Sequence, residues 1–257
     1  MFEPFNLTGK YAVVIGGAGG IGKAIAGGLL QSGAAVGIAS RNQENLKEAA
    51  ESLRGLAPGR VEVFQVDAAD EASIAKLSQD ALKAFGRVDI LVNAQGFNTK
   101  GPAIDFDMAE WDKLYAVNVR GVMLSCKIFA KQMVAQGGGK IVNLSSVRGI
   151  RANAGGNSAY CSSKAAVDLI TKSIATELAK NNVQVNAVGP ALIATKMMEK
   201  FFIEDPNKAE QYTRNIPMGR LGKVEDVIGA AVFLASPAAD FITGQVLYVD
   251  GGLTAFG

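Results

Sequence analysis

The chain has no histidine in its 257 residues. The side chain that most often moves protons near neutral pH is missing, so any acid/base chemistry falls to another group. Cysteine is almost absent too. Cys126 and Cys161 stand alone, too few for a disulfide scaffold, and without histidine they argue against a zinc site; no metal is expected. Neither sign of charge dominates, with 26 basic against 24 acidic side chains, so no overall field draws nucleic acid or an anionic membrane. The longest uncharged stretch, 24–40, is broken by Gly27, Gly28, Gly33 and Gly37 and is no membrane span. The opening MFEPFNLTGK carries Glu3 and no apolar core, so no signal peptide is read there. Proline/serine-rich linkers and low-complexity segments are lacking as well. What remains is an enzyme-sized globular chain, 49% hydrophobic and 19% charged, expected in the cytoplasm as one domain over 1–257.

What is present is an alternation. YAVVI (11–15), AVGIA (35–39), VEVFQV (61–66), VDILVN (88–93), KIVNL (140–144), VQVNAV (183–188) and QVLYV (245–249) are short runs rich in β-branched residues. Several are nearly continuous in apolar character, as strands covered on both faces should be. Between them run helical stripes such as Ile74, Leu77, Ala81, Phe85 and Val167, Ile170, Ile174, Leu178. The pattern predicts an α/β fold with a single doubly wound, seven-stranded parallel sheet, a Rossmann fold, and helices on both faces. The longest gap without a confident strand, 189–244, carries a helical stretch at 225–235. An insertion near 190–220 is expected to cover a site beyond the carboxyl ends of the strands.

The first run leads straight into GGAGGIG, with Gly16, Gly20 and Gly22 opening a helical stretch. Without Cβ atoms the backbone turns tightly and approaches a phosphate, whose charge meets a helix N-terminus. A glycine loop kept for packing would look the same in isolation; the strand–turn–helix context favours a nucleotide. The second run ends in Ser40 and Arg41, with no carboxylate until Glu44. An acid there would bind ribose hydroxyls and repel a 2′-phosphate, whereas a guanidinium grips one. NADP(H) is therefore expected over NAD(H), which stays open as the alternative.

NSAYCSSKAA (157–166) sets Tyr160 and Lys164 four apart, on one face at helical pitch. An ammonium about 5 Å from a phenol, at an effective dielectric of about 20, favours the phenolate by about 3 kcal/mol. That is roughly two pKa units, opposed by burial. Tyrosine working near about pH 7.5 to 8 is thus a route to proton transfer without histidine. Spacing alone fits an ordinary surface pair equally well. Two serines, Ser145 and Ser146, follow the strand-like KIVNL and come shortly before the tyrosine.

With the glycine turn, VDA (66–68), NAQG (93–96), Asn118 in VNVRG, GPALIAT (189–195) and YVDGG (248–252), the ordered set resembles the short-chain dehydrogenase/reductase family over essentially the whole chain. The resemblance implies that Ser146 orients a substrate oxygen and Tyr160 exchanges its proton. Lys164 then holds the nicotinamide ribose and lowers the tyrosine pKa, and Asn118 anchors a water for proton relay. It further implies a cofactor groove made by Gly16, Gly20, Ile21, Gly22, Ser40, Arg41, Asp67, Ala68, Asn93, Gly96, Tyr160, Lys164, Pro190, Ile193 and Thr195. The chain departs from the family pattern in three places: Ile15 stands where threonine is usual, Ala94-Gln95 where Asn-Ala is usual, and Ala191 where glycine is usual. Asn98, Arg148, Arg151 and Asn153 fall in loops expected to face substrate, a polar set that suits a hydroxylated or anionic small carbonyl or alcohol. Within the family, RNIPMGRLG (214–222) and QVLYVDGGLTAFG (245–257) look most like gluconate 5-dehydrogenases. The 3-oxoacyl-(acyl-carrier-protein) reductases are the rival; a non-catalytic NADP-binding sensor is a further alternative, as is a methyltransferase with a similar glycine turn, which would not need the Tyr160/Lys164 pair. The resemblance also implies a homotetramer, with 110–130 and 158–178 at one interface and the final strand and tail at another.

Overall fold

All seven apolar runs become strands of one sheet. The computed structural model describes residues 3–56, 59–194 and 213–255. The sheet strands are β1 (Tyr11–Ile15), β2 (Ala35–Ser40), β3 (Val61–Gln65), β4 (Ile90–Asn93), β5 (Gly139–Leu144), β6 (Val183–Pro190) and β9 (Val246–Val249). Their order is β3-β2-β1-β4-β5-β6-β9, and every neighbouring pair is parallel. A two-residue pair, β7 (Ile193–Ala194) and β8 (Gly222–Lys223), stands apart from the sheet. The predicted fold class holds. Residues 195–212, most of the insertion expected to cover the site, lie outside the described residues.

Among the described residues seven longer helices accompany the strands: α1 (Gly20–Gln31), α2 (Gln43–Arg54), α3 (Glu71–Phe85), α4 (Met108–Tyr115), α5 (Gly121–Ala135), α6 (Ser158–Leu178) and α7 (Val224–Ala235). Alternate strand residues feed two apolar layers, one on each face. Ala12, Val14, Ile90 and Val92 pack with α1, α2 and α7; Val13, Ile15, Leu91 and Ile141 pack with α3, α5 and α6. The sequence shows how each helix is placed. In α3, Asp70 accepts from the Ala72 N–H at 3.0 Å to open the helix, and Gly86 closes it at φ +80. Between them the stripe Ile74, Leu77, Ala81 and Phe85 is buried, its three large side chains contributing about 2 kcal/mol each of transfer free energy.

Strand order reverses at β1, because β2 and β3 lie on one side of it and β4 onward on the other. A crevice therefore opens beyond the carboxyl ends of β1 and β4. A buried polar network fixes α6 against that crevice. Asn93 Nδ2 donates to Asn143 Oδ1 at 2.8 Å, and Asn143 Nδ2 donates to Thr171 Oγ1 at 2.9 Å. The strand register puts Asn93 beside Asn143. Paired amides at this depth hold the ends of β4 and β5 in line with the helix, since an unpaired one would cost about 1–3 kcal/mol.

Candidate active site

The turn after β1 is built around two close approaches. Gly16 sits at φ +82, and a Cβ there would lie 2.6 Å from the Ala94 carbonyl carbon. A Cβ on Gly22 would lie 2.2 Å from the Gly16 oxygen. Glycine is required at both places. The N-cap of α1 is Gly19, which offers no side chain to the first-turn N–H groups. Those donors and the positive helix end face a cavity of about 470 Å³. Gly16, Gly19, Ile21 and Gly22 line one end, and Ser40, Arg41, Asp67 and Ala68 the other. This cradle fits a dinucleotide, with a pyrophosphate at the helix end.

A second cavity of about 180 Å³ abuts the first, sharing Ile21, Leu144 and Ala94 to Phe97 with it. It brings together Ser146, Tyr160, Lys164, Gly96, Asn98 and Pro190. The tyrosine and lysine come from the first two turns of α6, the serine from the loop after β5. Lys164 is 4% exposed and its Nζ donates to the Leu144 carbonyl at 2.7 Å, lying 5.7 Å from the Tyr160 ring centroid. Ser146 Oγ accepts from the Arg148 N–H at 3.2 Å and donates to the Pro190 carbonyl at 3.4 Å.

The electrostatics differ from the simple charge estimate. Burial pushes the Tyr160 phenol above its ordinary value; the Ser146 hydrogen bond pulls down, the Cys161 thiol adds upward and the Arg148 guanidinium pulls down. Lys164 is not among the groups that lower it. Its own pKa is brought down to about 8 by burial, with Asp168 opposing. The burial expected to oppose the lowering exceeds it here, because the water that the phenol gives up outweighs the groups that favour the phenolate.

Asn118 lies on a π-helical segment, Ala116–Arg120, between α4 and α5. It is fully buried. Its Oδ1 accepts from the Phe97 N–H at 3.0 Å, and its Nδ2 donates to the Phe97 carbonyl at 2.9 Å and to Ser163 Oγ at 3.3 Å. The widened helical turn lets one amide clamp the loop after β4 to α6. Gly96 is left beside Lys164, where a Cβ would come 3.6 Å from the ammonium.

A family model described as enoyl-(acyl carrier protein) reductase matches residues 16–254. The 3-oxoacyl-(acyl-carrier-protein) reductase FabG of Thermotoga maritima is 39% identical, covering 96% of this chain and 99% of its own. Gluconate 5-dehydrogenase of Gluconobacter oxydans is 37% identical, covering 97% and 96%. A crystal structure of a gluconate 5-dehydrogenase from Burkholderia cenocepacia, in complex with NADP and tartrate, superposes with a TM-score of 0.91 at 34% identity, covering 98% of each chain. The chain belongs to the short-chain dehydrogenase/reductase family. It is an oxidoreductase of that family.

Not every residue expected in this short-chain dehydrogenase/reductase's groove lines it. Asn93 points beneath the floor, into the network with Asn143 and within 3.5 Å of Cys126 Sγ. Ile193 is buried in β7, and a Cβ on Gly222 would come 2.4 Å from its Cδ1, so it packs between the two short strands. Thr195 lies outside the described residues. Of the substrate candidates, Asn98 alone lines the catalytic cavity. Its Nδ2 donates to Asn157 Oδ1 at 2.9 Å, and Asn157 donates to Asn153 at 2.9 Å, so Asn153 acts from behind. Arg148 reaches the carbonyls of Arg151 and Ala152, while Arg151 Nη1 donates to the Leu253 carbonyl in the tail. Asn45 and Val117 line the larger cavity without having been singled out. Asn45 stands in the first turn of α2, just past Arg41 and the N-cap Asn42, and that closeness in sequence could have flagged it. Gln95 also lines both cavities; it is buried, and its Oε1 has no hydrogen-bond partner.

The buried ammonium gives a pH test. A lysine whose folded pKa is about 8 binds fewer protons folded than unfolded between that value and its ordinary one. Its desolvation cost is present in full below pH 8 and fades as pH rises toward 10.5. Relative to Lys164→Met, the wild type should therefore gain about 2 kcal/mol in unfolding free energy between pH 7 and pH 10. Urea unfolding of both proteins at each pH measures this, and parallel changes in the two would exclude the buried cation.

Proposed function

We propose that the protein is an NADP(H)-dependent oxidoreductase moving a hydride between nicotinamide and the carbonyl or secondary alcohol of a sugar acid or polyol. The observation that carries this reading is the Ser146, Tyr160 and Lys164 cluster at the inner end of a groove whose outer end holds Arg41. When bound, the nicotinamide supplies or accepts the hydride. Gly16, Gly20, Ile21 and Gly22 hold the pyrophosphate, Asp67 and Ala68 the adenine, and Gly96 leaves room for the ribose. Lys164 donates to the ribose hydroxyls. Ser146 donates a hydrogen bond to the substrate oxygen, and Tyr160 gives that oxygen a proton in reduction and takes it back in oxidation. Asn118 positions the loop that carries Gly96; because its amide already serves Phe97 and Ser163, a relay water is held through its main chain.

NADP(H) is supported by the exposed Arg41 beside Ser40 at the cavity rim, and by the NADP in the Burkholderia structure. NAD(H) is the alternative. An Arg41→Asp variant reverses the charge facing a 2′-phosphate, so the ratio of kcat/KM for NADPH over NADH should fall at least about tenfold. Steady-state kinetics with both nucleotides check this; an unchanged ratio removes Arg41 from the phosphate site.

The sugar-acid reading rests on two polar loops, with Asn98 after β4 and Arg148 after β5, and on the likeness to gluconate 5-dehydrogenases. Arg148 is favoured over Arg151, whose guanidinium is engaged by the tail. A bidentate contact to a substrate carboxylate contributes about 1.5–3 kcal/mol. Arg148→Ala should accordingly weaken 5-ketogluconate reduction at least about tenfold while sparing a small neutral diketone. If only acyl thioesters are turned over, the second reading replaces the first: a 3-oxoacyl-(acyl-carrier-protein) reductase, which the 39% relative favours. The complete Ser146, Tyr160, Lys164 and Asn118 set counts against a non-catalytic sensor.

A homotetramer is part of the same reading. Met123 on α5 and Leu169 on α6 are exposed, as are Phe241 and Leu247 near the final strand, which gives two separate apolar faces for two-fold contacts. The two free cysteines suit the cytoplasm, and among the described residues no helix is long and apolar enough to cross a membrane. Light scattering should report four chains per particle; a concentration-independent single-chain mass contradicts it.

A further inference from the structure

One turn beyond Lys164, on the same face of α6, stands Asp168. It is 7% exposed, a rare burial for a carboxylate unless something of opposite charge or several donors hold it. Its Oδ2 accepts from the Tyr248 hydroxyl of β9 at 3.4 Å, and the Ser145 hydroxyl also reaches the carboxylate. Its Oδ1 has no hydrogen-bond partner. The space around it is closed from the other side, because a Cβ on Gly149 would lie 2.4 Å from Asp168 Oδ2. Tyr160, Lys164 and Asp168 thus form a column down one helix face, with the ammonium between a phenol and a carboxylate.

We propose that Asp168 is a positioning residue that keeps the buried Lys164 in its ammonium form and aimed at the Leu144 carbonyl, ready for the groove. Among the described residues the Lys164 ammonium makes one hydrogen bond, to the neutral Leu144 carbonyl. An ammonium in that setting loses its proton easily unless a nearby negative charge compensates its lost hydration. The charged and titratable groups around the pair are few. Tyr160 and Lys172 come from α6, Tyr248 from β9, and Arg148 from the loop after β5, where Ser145 adds a hydroxyl. The two cations Lys172 and Arg148 only oppose the ammonium, and Tyr248, pushed up to about 12 by burial and by Asp168 itself, stays neutral. Asp250 acts on Tyr248; Asp168, whose carboxyl is raised by burial and lowered by Ser145, Tyr248 and the two lysines, is the anion that acts on the ammonium. A bland alternative is that it merely ties β9 to α6 through Tyr248.

The inference rests on the role given to Lys164 above, so its test is run on the cofactor-free protein, without reference to turnover. Carbon-13 labelling at lysine Cε, assigned by comparison with Lys164→Met, reports the ammonium's titration by NMR. Asp168→Asn keeps the shape and the Tyr248 contact but removes the charge; the Lys164 midpoint should drop by at least one pH unit. Tyr248→Phe removes the hydrogen bond but keeps the charge; its midpoint should stay within a few tenths of wild type. If Asp168→Asn does not fold, the wild type still decides: the Asp168 carboxyl resonance should show a second inflection at the pH where Lys164 loses its proton. An unmoved Lys164 midpoint in Asp168→Asn, a Tyr248→Phe effect as large, or no inflection in the wild type overturns the proposal.

Discussion

The hydrogen bond from the Lys164 ammonium to the Leu144 carbonyl, 2.7 Å long, joins the two parts of the molecule on which the chemistry depends. Leu144 ends β5, and Lys164 belongs to the second turn of α6. Around this bond the groove is organised: the Tyr160 ring lies 5.7 Å from the cation, and Gly96 carries no Cβ where one would come 3.6 Å from the ammonium. Neither residue could be held so without the amide network below. Asn143 links β4 through Asn93 and α6 through Thr171, while Asn118 ties the loop after β4 to the same helix. Three buried asparagines therefore do for the catalytic corner what apolar packing does for the rest of the sheet.

A chain without histidine has to obtain proton transfer from groups whose ordinary values lie far from neutral. Burial alone works in opposite senses on the two candidates, raising the phenol of Tyr160 and bringing the ammonium of Lys164 down to about 8. The pair is thereby driven apart in acidity, and the buried ammonium becomes the stronger acid of the two. Ser146 and Arg148 favour the phenolate side of the balance, and both belong to the loop that would meet the substrate oxygen. Proton transfer then depends on that loop as much as on the helix.

The strands were legible because a parallel sheet buried on both faces leaves an almost unbroken apolar run in the sequence, and all seven runs became strands within two residues of the expected bounds. The glycine turn was legible because Gly16 and Gly22 have no tolerable alternative at their contact distances. Asn93 was not, since a motif gives position without side-chain direction. It shares strand parity with Leu91 and so faces the α5 layer rather than the groove. The π-helical segment at Asn118 left no mark in composition, because a shifted hydrogen-bond register needs no special residue. The sign of the Tyr160 shift was not legible either, because the sequence sets burial against attraction without giving the depth of burial that decides between them. Arg151 looked free for substrate until the tail carbonyl of Leu253 claimed it. In each case the missing information was three-dimensional context, not a misread residue.

The central claim is that Tyr160 carries the acid/base chemistry that histidine performs elsewhere. Tyr160→Phe removes one hydroxyl and almost no volume, so the groove and its nucleotide contacts are kept. Stopped-flow reduction of a keto substrate, with NADPH affinity measured in parallel by fluorescence, tests the claim most directly. The account predicts a loss of about 10² to 10⁴ in turnover with NADPH affinity within about twofold of wild type. Turnover near the wild-type rate, with NADPH still bound, would contradict it.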